Sequence, residues 1–144
     1  KVVLNPAPAR SLPKELLRYL FMITPNRIEA EMLTGIKIVN DADAERVAKE
    51  ISAMGVQNII VTLGSKGCLV REGDTSYCVD AFKVEPVDTT AAGDTFNGAL
   101  CVGLAEGMNL RQSAGMASKA SSVAVTRMGA QSSIPYRKEL DLNE

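Results

Sequence analysis

An α/β fold built on a mostly parallel sheet is predicted by three features of the 144-residue sequence. Strand-like apolar runs alternate with helical segments through the first half. Residues 58–63 are nearly continuous Ile and Val, as expected of a strand buried on both faces. Breakers such as Asn5-Pro6-Ala7-Pro8-Ala9, Thr24-Pro25 and Gly55 fall between these segments. No repeat, low-complexity tract or linker interrupts the chain, so residues 1–144 read as a single unit.

Residues 1–5 form a short buried strand that ends in the Asn-Pro-Ala-Pro-Ala run, and Ser11-Leu12-Pro13 opens a short helix, with proline near the first turn. Phe21-Met22-Ile23 is a second strand. It stops at Thr24-Pro25-Asn26, and a helix follows through Glu29, Glu31 and Met32 to Gly35. Over residues 41–54, Ala44, Val47, Ala48, Ile51 and Met54 keep a 3.6-residue period, with Gly55 at the C-terminal stop. After the strand at 58–63, Gly64-Ser65-Lys66-Gly67 turns the chain into paired strands at 68–71 and 75–79 around Glu72-Gly73-Asp74. A strand near 82–85 leads to Pro86. Helices follow at about 92–106 and 110–125, then a loop at 127–133 and a short helix starting at Pro135.

Composition excludes several kinds of chemistry. The chain has no histidine, which removes Ser-His-Asp and Cys-His catalysis, histidine metal sites and histidine pH switches. Any proton transfer falls to a carboxylate, lysine, tyrosine or thiol. With 46% hydrophobic and 23% charged residues, a folded protein is expected. Sixteen basic and 17 acidic residues leave a formal charge of -1, which argues against binding to nucleic acid or a membrane surface. Cys68, Cys78 and Cys101 match no CxxC or zinc spacing and read as buried or half-buried thiols in a reducing compartment. No P-loop and no Gly-x-Gly-x-x-Gly is present. No stretch reaches the roughly 18 uncharged apolar residues of a membrane span. The first residues carry no signal peptide and no initiator methionine, and read like the middle of a strand. The expectation is a cytoplasmic protein, either whole or a piece of a larger one.

The densest chemical signal is Val87-Asp88-Thr89-Thr90-Ala91-Ala92-Gly93-Asp94-Thr95-Phe96, placed between a strand and a helix. Residues 90–93 set small side chains where the first helical turn has N–H groups without partners. Such a terminus attracts phosphate, and small residues let it approach the backbone. Asp94 then stands beside the anion. It serves either as a carboxylate complementing the helix dipole or as a group that a reaction at the phosphate requires.

This segment closely resembles the C-terminal signature of the ribokinase-like (pfkB) carbohydrate kinase family. Asn5-Pro6-Ala7-Pro8-Ala9, Thr24-Pro25-Asn26-Arg27-Ile28-Glu29-Ala30-Glu31, Thr62-Leu63-Gly64-Ser65-Lys66-Gly67 and Val125-Thr126-Arg127-Met128-Gly129-Ala130-Gln131 resemble further family segments, in family order. The resemblance covers the family's C-terminal half. Its Gly-Gly-rich sugar motif and β-lid have no counterpart here. It implies a three-layer α/β/α, Rossmann-like sheet and ATP-dependent phosphorylation of a sugar hydroxymethyl group. D-ribose is favoured by the Asn-Pro-Ala-Pro-Ala and Ala-Ala-Gly-Asp variants. Another sugar or nucleoside kinase, or a nucleotide-binding module without turnover, are the alternatives.

By this resemblance, Asp94 is the catalytic base and the substrate contact. The N–H groups of Ala92, Gly93 and Asp94 form an anion hole. Asn26 and Glu29 contact the ATP phosphates and Mg2+, with Glu29 acting on the metal through water, although their spacing equally makes a helix capping box. Thr62, Leu63, Gly64, Ser65, Lys66 and Gly67 lie along the nucleotide. Ser118 aligns with an adenine-contacting position, or else serves close helix packing. A K+ site is implied from Asp88, Thr90 and Ser133 with main-chain oxygens of Ala124, Arg127 and Gly129, and an oxygen-only donor set suits a hard cation. Partners are then ATP and a small sugar. Family dimers form through lid strands, so no such dimer is expected of this segment, and kinase activity of the 144 residues alone is expected to be slight.

Overall fold

The computed structural model describes residues 1–140. The sequence reads as a single unit, and the residue contacts fall into two compact bodies, Lys1–Cys78 and Val79–Glu144.

The first body carries five neighbouring strands in the order β1 (Val3–Leu4), β2 (Met22–Ile23), β3 (Asn58–Thr62), β4 (Cys68–Glu72) and β5 (Thr75–Val79). β1, β2 and β3 are parallel, and β4 runs antiparallel to β3. The expected mostly parallel sheet is therefore corrected to a mixed one, because the tight Gly64–Lys66 turn returns the chain at once where a parallel pairing would need a long crossover.

Residues opposite one another share a face, so Ile23, Ile59, Val61 and Leu69 point one way. They pack with Ala44, Val47, Ala48 and Ile51 of α3 (Asp41–Ala53) and Ala30 of α2 (Arg27–Thr34) in one apolar cluster. Each buried Val, Leu or Ile of this cluster stabilises by roughly 1.5–3 kcal/mol, the alanines by less. The alternate set, Met22, Ile60 and Val70, is also fully buried, which explains the continuous apolar run in β3. α1 (Lys14–Leu17) adds Leu17 to the cluster. α2 stops at Gly35, whose φ of 73° supplies the left-handed turn. α3 starts on a capping box between Asn40 and Asp43.

In the second body, α4 (Ala92–Ala105) and α5 (Leu110–Ala124) match the predicted helices to within a residue at each end. They approach closely at Gly103, where an added Cβ would lie 3.0 Å from Ser113 Oγ and 3.1 Å from Met116 Cε. At Gly98, on the same helix, an added Cβ meets nothing within 4 Å. Gly103→Ala is thus expected to destabilise by about 1–3 kcal/mol through overpacking. Gly98→Ala is expected to stabilise by about 0.5–1 kcal/mol through helix entropy. Urea unfolding of the two variants checks the opposite signs, and equal effects would refute the close-packing assignment.

Three further expectations are corrected. Residues 82–85 form no strand: Phe82 and Val84 are exposed, and Lys119 Nζ of α5 sits 4.6 Å from the Phe82 ring centre. The segment thus meets a helix side chain instead of pairing in a sheet. After Pro135 the described chain makes only a 3-10 turn, Arg137–Glu139, where Glu139 closes back on Tyr136. Cys68 is buried, which pushes its thiol up to about 12, with Cys78 nearby adding to the shift. Cys78 and Cys101 are exposed, so the expected burial of the thiols holds for Cys68 alone.

Candidate functional site

In the first body the chain gathers Asn26, Glu29 and the 62–67 turn at the C-terminal ends of β2 and β3. Asn26 and Thr62 form a parallel bridge, and the Thr62 N–H donates to Pro25 O at 3.0 Å. The capping box is made: Asn26 Oδ1 accepts from Glu29 N–H at 2.9 Å, and Glu29 Oε2 accepts from Asn26 N–H at 2.8 Å. It uses one oxygen of each side chain, and the other Glu29 oxygen and the Asn26 amide nitrogen carry no hydrogen bond among the described residues. Glu29 is buried although ionisable, which a capping role alone does not demand.

The 62–67 turn depends on two glycines. Gly64 has φ 63° and Gly67 φ 88°, a region that favours glycine. The turn closes through Leu63 N–H to Gly67 O at 2.8 Å and Gly67 N–H to Gly64 O at 2.9 Å. Beside it lies a pocket of about 190 Å³, lined by Leu63, Ser65 and Lys66 together with Arg27 and residues 38–41. Arg27, Asn40 and Asp41 were not singled out in the sequence, because they come to the turn from separate elements. The one local signal was a charged Arg27 between Asn26 and Ile28.

In the second body, α4 begins at Ala91, which adopts φ 59°, ψ 13° and offers no side-chain cap. A left-handed alanine costs on the order of 1–2 kcal/mol, and strain of this kind collects at functional sites. The N–H of Ala92 is engaged by Thr89 O at 3.2 Å, and that of Thr95 by Ala91 O at 2.8 Å. The N–H groups of Gly93 and Asp94 have no partner among the described residues. Both residues are exposed, and no Cβ contact would crowd Gly93. Ser121 Oγ of α5 holds this turn by donating to Ala92 O at 3.0 Å.

Asp88 links two loops 41 residues apart. Oδ1 accepts from Thr90 N–H at 2.9 Å and Oδ2 from Gly129 N–H at 2.9 Å. The Thr90 hydroxyl and N–H, then the Gly129 N–H, hold its carboxyl below the usual aspartate value. Val87 and Asp88 N–H both donate to Val125 O, which fixes the same junction from the other side. Thus Asp88, Thr90, Arg127 and Gly129 are brought together. Ala124 O accepts from Arg127 N–H at 3.0 Å, and the fully buried Ser133 donates to Ala130 O at 2.7 Å. The carbonyls of Arg127 and Gly129 accept no hydrogen bond among the described residues. Open carbonyls beside an ionised carboxylate fit a hard monovalent cation. No group of three His, Cys, Asp or Glu suited to a metal exists among the described residues. Ser118 is buried on α5, in the same helix as the packing serines Ser113 and Ser122. No helix among the described residues is long and apolar enough to cross a membrane.

Residues 1–137 match the model of the pfkB family of carbohydrate kinases. Among curated relatives, the ribokinase of Haemophilus influenzae is 43% identical over 139 residues, covering 96% of this chain and 45% of the relative. The chain spans about half the length of the curated relatives it matches. Among solved structures, the ribokinase of Thermotoga maritima superposes with a TM-score of 0.89 at 41% identity, over 96% of this chain and 47% of that one. The Arabidopsis thaliana ribokinase complexed with ribose and ATP gives a TM-score of 0.91 at 30% identity, covering 96% and 45%. The expected ribokinase-like α/β fold is thereby found.

Proposed function

Since the chain belongs to the pfkB family of carbohydrate kinases, we propose that it supplies the nucleotide-binding and catalytic-base half of an enzyme that phosphorylates a sugar hydroxymethyl group from ATP, with D-ribose as the first candidate. The observation that carries this reading is the start of α4. There the free N–H groups of Gly93 and Asp94 stand beside the exposed Asp94 carboxylate, on a turn held by a left-handed Ala91. The choice of ribose is supported by the ribokinase relatives and by the ribose and ATP in the Arabidopsis neighbour.

In this mechanism the Asp94 carboxylate accepts the hydroxymethyl proton while the sugar oxygen bonds to the γ-phosphorus. The bond from that phosphorus to the bridging oxygen of ADP breaks, and its electrons leave with ADP. General-base assistance of this kind contributes about 10²–10⁴-fold. The Gly93 and Asp94 N–H groups stabilise the negative charge of the transferring phosphoryl group, each such donor being worth on the order of 10²–10³-fold. Ala92 joins them only by releasing Thr89. Phosphoryl transfer asks a protein mainly for positioning and charge stabilisation, which explains how a chain without histidine performs it.

Asn26 and Glu29 face the phosphates and the hydrated Mg2+ through the atoms their capping box leaves free. The 62–67 turn runs along the nucleotide, with Lys66 beside it. Ser118 is read as a packing residue first, since its burial leaves little surface for a base. Asp88, Thr90 and Ser133, with the carbonyls of Ala124, Arg127 and Gly129, hold K+. Bound there, K+ supplies positive charge beside the anion hole. By itself the 144-residue chain is expected to turn over little, for want of a sugar site.

Calorimetric titration of Mg·ATP into the 144-residue chain tests the nucleotide half. Saturable binding is expected, and heats of dilution alone would refute it.

A further inference from the structure

The 127–133 loop is tied down by a second carboxylate besides Asp88. Glu139 Oε1 accepts from Arg127 Nη2 at 2.7 Å, and Glu139 Oε2 accepts from Tyr136 N–H at 2.7 Å. One carboxylate thus closes residues 127–139 into a ring and grips the residue that opens the loop. Inside the ring only short-range bonds act: Ser133 and Ile134 N–H to Ala130 and Gln131 O, and the Ser132 and Ser133 hydroxyls to Met128 and Ala130 O. Those bonds shape the loop but do not fix it to the rest of the body.

Outside itself the ring is anchored by Asp88 at Gly129 N–H and by Arg137, whose guanidinium pairs with Glu106 at the end of α4 at 2.9 Å and meets Met116 Sδ of α5. At the start of the loop the two carboxylates that act are Asp88, on Gly129 N–H, and Glu139, on Arg127. They bracket the carbonyls of Arg127 and Gly129, which accept no hydrogen bond among the described residues. We infer that Glu139 is a positioning residue for the cation loop, acting through the Arg127 side chain to hold the Arg127 and Gly129 carbonyls turned toward a monovalent cation. The inference rests on the cation reading of Asp88, Thr90 and this loop.

Energetics separates this role from a plain stability role. The side chains are 37% and 32% exposed, and pairs so exposed add little to folding. The distances nonetheless show full engagement, with Arg127 first and the Tyr136 N–H second holding the Glu139 carboxyl below its usual range. A tie that adds little to stability yet orders a ring of 13 residues, 127 to 139, acts chiefly on the placement of what lies in the ring. Groups that orient metal ligands from behind typically change metal affinity 10–100-fold when removed. Arg127 keeps its carbonyl in any substitution, so the tie can be cut without deleting a ligand.

The test uses the 144-residue chain and KCl against choline chloride at constant ionic strength. The melting temperature is followed as K+ replaces choline, and the K+ midpoint is read. The unaltered chain is expected to show a K+-specific rise. Glu139→Gln and Arg127→Gln are each expected to raise the midpoint roughly tenfold. The double variant is expected to raise it no further, since both cut one tie. Melting in choline alone should shift little for all of them, whereas a merely structural pair would shift that value and leave the midpoint in place. Unchanged midpoints in both single variants, with the unaltered chain still responding to K+, would overturn the inference and leave the cation reading standing. No K+-specific rise in the unaltered chain would overturn the cation reading and the inference together.

Discussion

Asp94→Asn is expected to cut turnover about 10³-fold, with the KM for ATP unchanged. The setting is a hybrid in which residues 1–144 replace the corresponding part of the Thermotoga maritima ribokinase, 41% identical and superposing at a TM-score of 0.89. Asn keeps the shape of the side chain and removes its ability to take a proton. Asp94 is exposed and carries no ion pair among the described residues, so the fold loses only its favourable charge at the helix start, worth about 0.3–1 kcal/mol. A fall in kcat with intact ATP binding isolates the base role. Near-normal kcat in a hybrid of unchanged melting temperature would mean that Asp94 only complements the dipole.

The second large effect is expected at Gly93. A Cβ there meets nothing within 4 Å, and the residue is exposed in regular helix, so Gly93→Val should fold. Valine would nevertheless stand over the two free N–H groups and hold a phosphoryl group away from them. Loss of both donors predicts a fall in kcat of at least about 10²-fold in the same hybrid. Gly93→Ala should lie between. The melting temperature is the control, because a helical glycine replaced in open space tends to gain stability. If Gly93→Val kept full activity, the first turn of α4 would not be the anion site.

The helices were legible because their signals are local. The 3.6-residue spacing of Ala44, Val47, Ala48 and Ile51 and the glycines at 35 and 55 mark α2 and α3 in the chain itself. β3 was legible from its composition. What escaped is what depends on partners far away in sequence. Phe82 and Val84 look like strand residues, but the chain there meets Lys119 rather than a strand edge. The Gly64–Gly67 turn and the strand pair after it, by contrast, were legible, because the two glycines that take positive φ stand in the sequence itself.

The same holds for the candidate site. Asp88, Gly93 and Asp94 stood out because they crowd one segment of small residues. The left-handed Ala91, the Asp88–Gly129 bond and the Arg127–Glu139 tie leave no periodicity to read. Nor does the pocket that joins Arg27 to Lys66. The cap at Asn26 shows the opposite difficulty. The spacing allowed both a capping box and a phosphate contact, and a formed box leaves atoms free for the second.

The central claim is that residues 1–144 contain the base and anion hole of a sugar kinase. It is tested most directly by ribose-dependent ADP release from the hybrid, measured beside the 144-residue chain alone. The hybrid is expected to release ADP in step with ribose 5-phosphate, and the chain alone to stay at background. A hybrid that melts cooperatively and binds Mg·ATP, yet releases no ADP on addition of ribose or any other sugar, would contradict the claim.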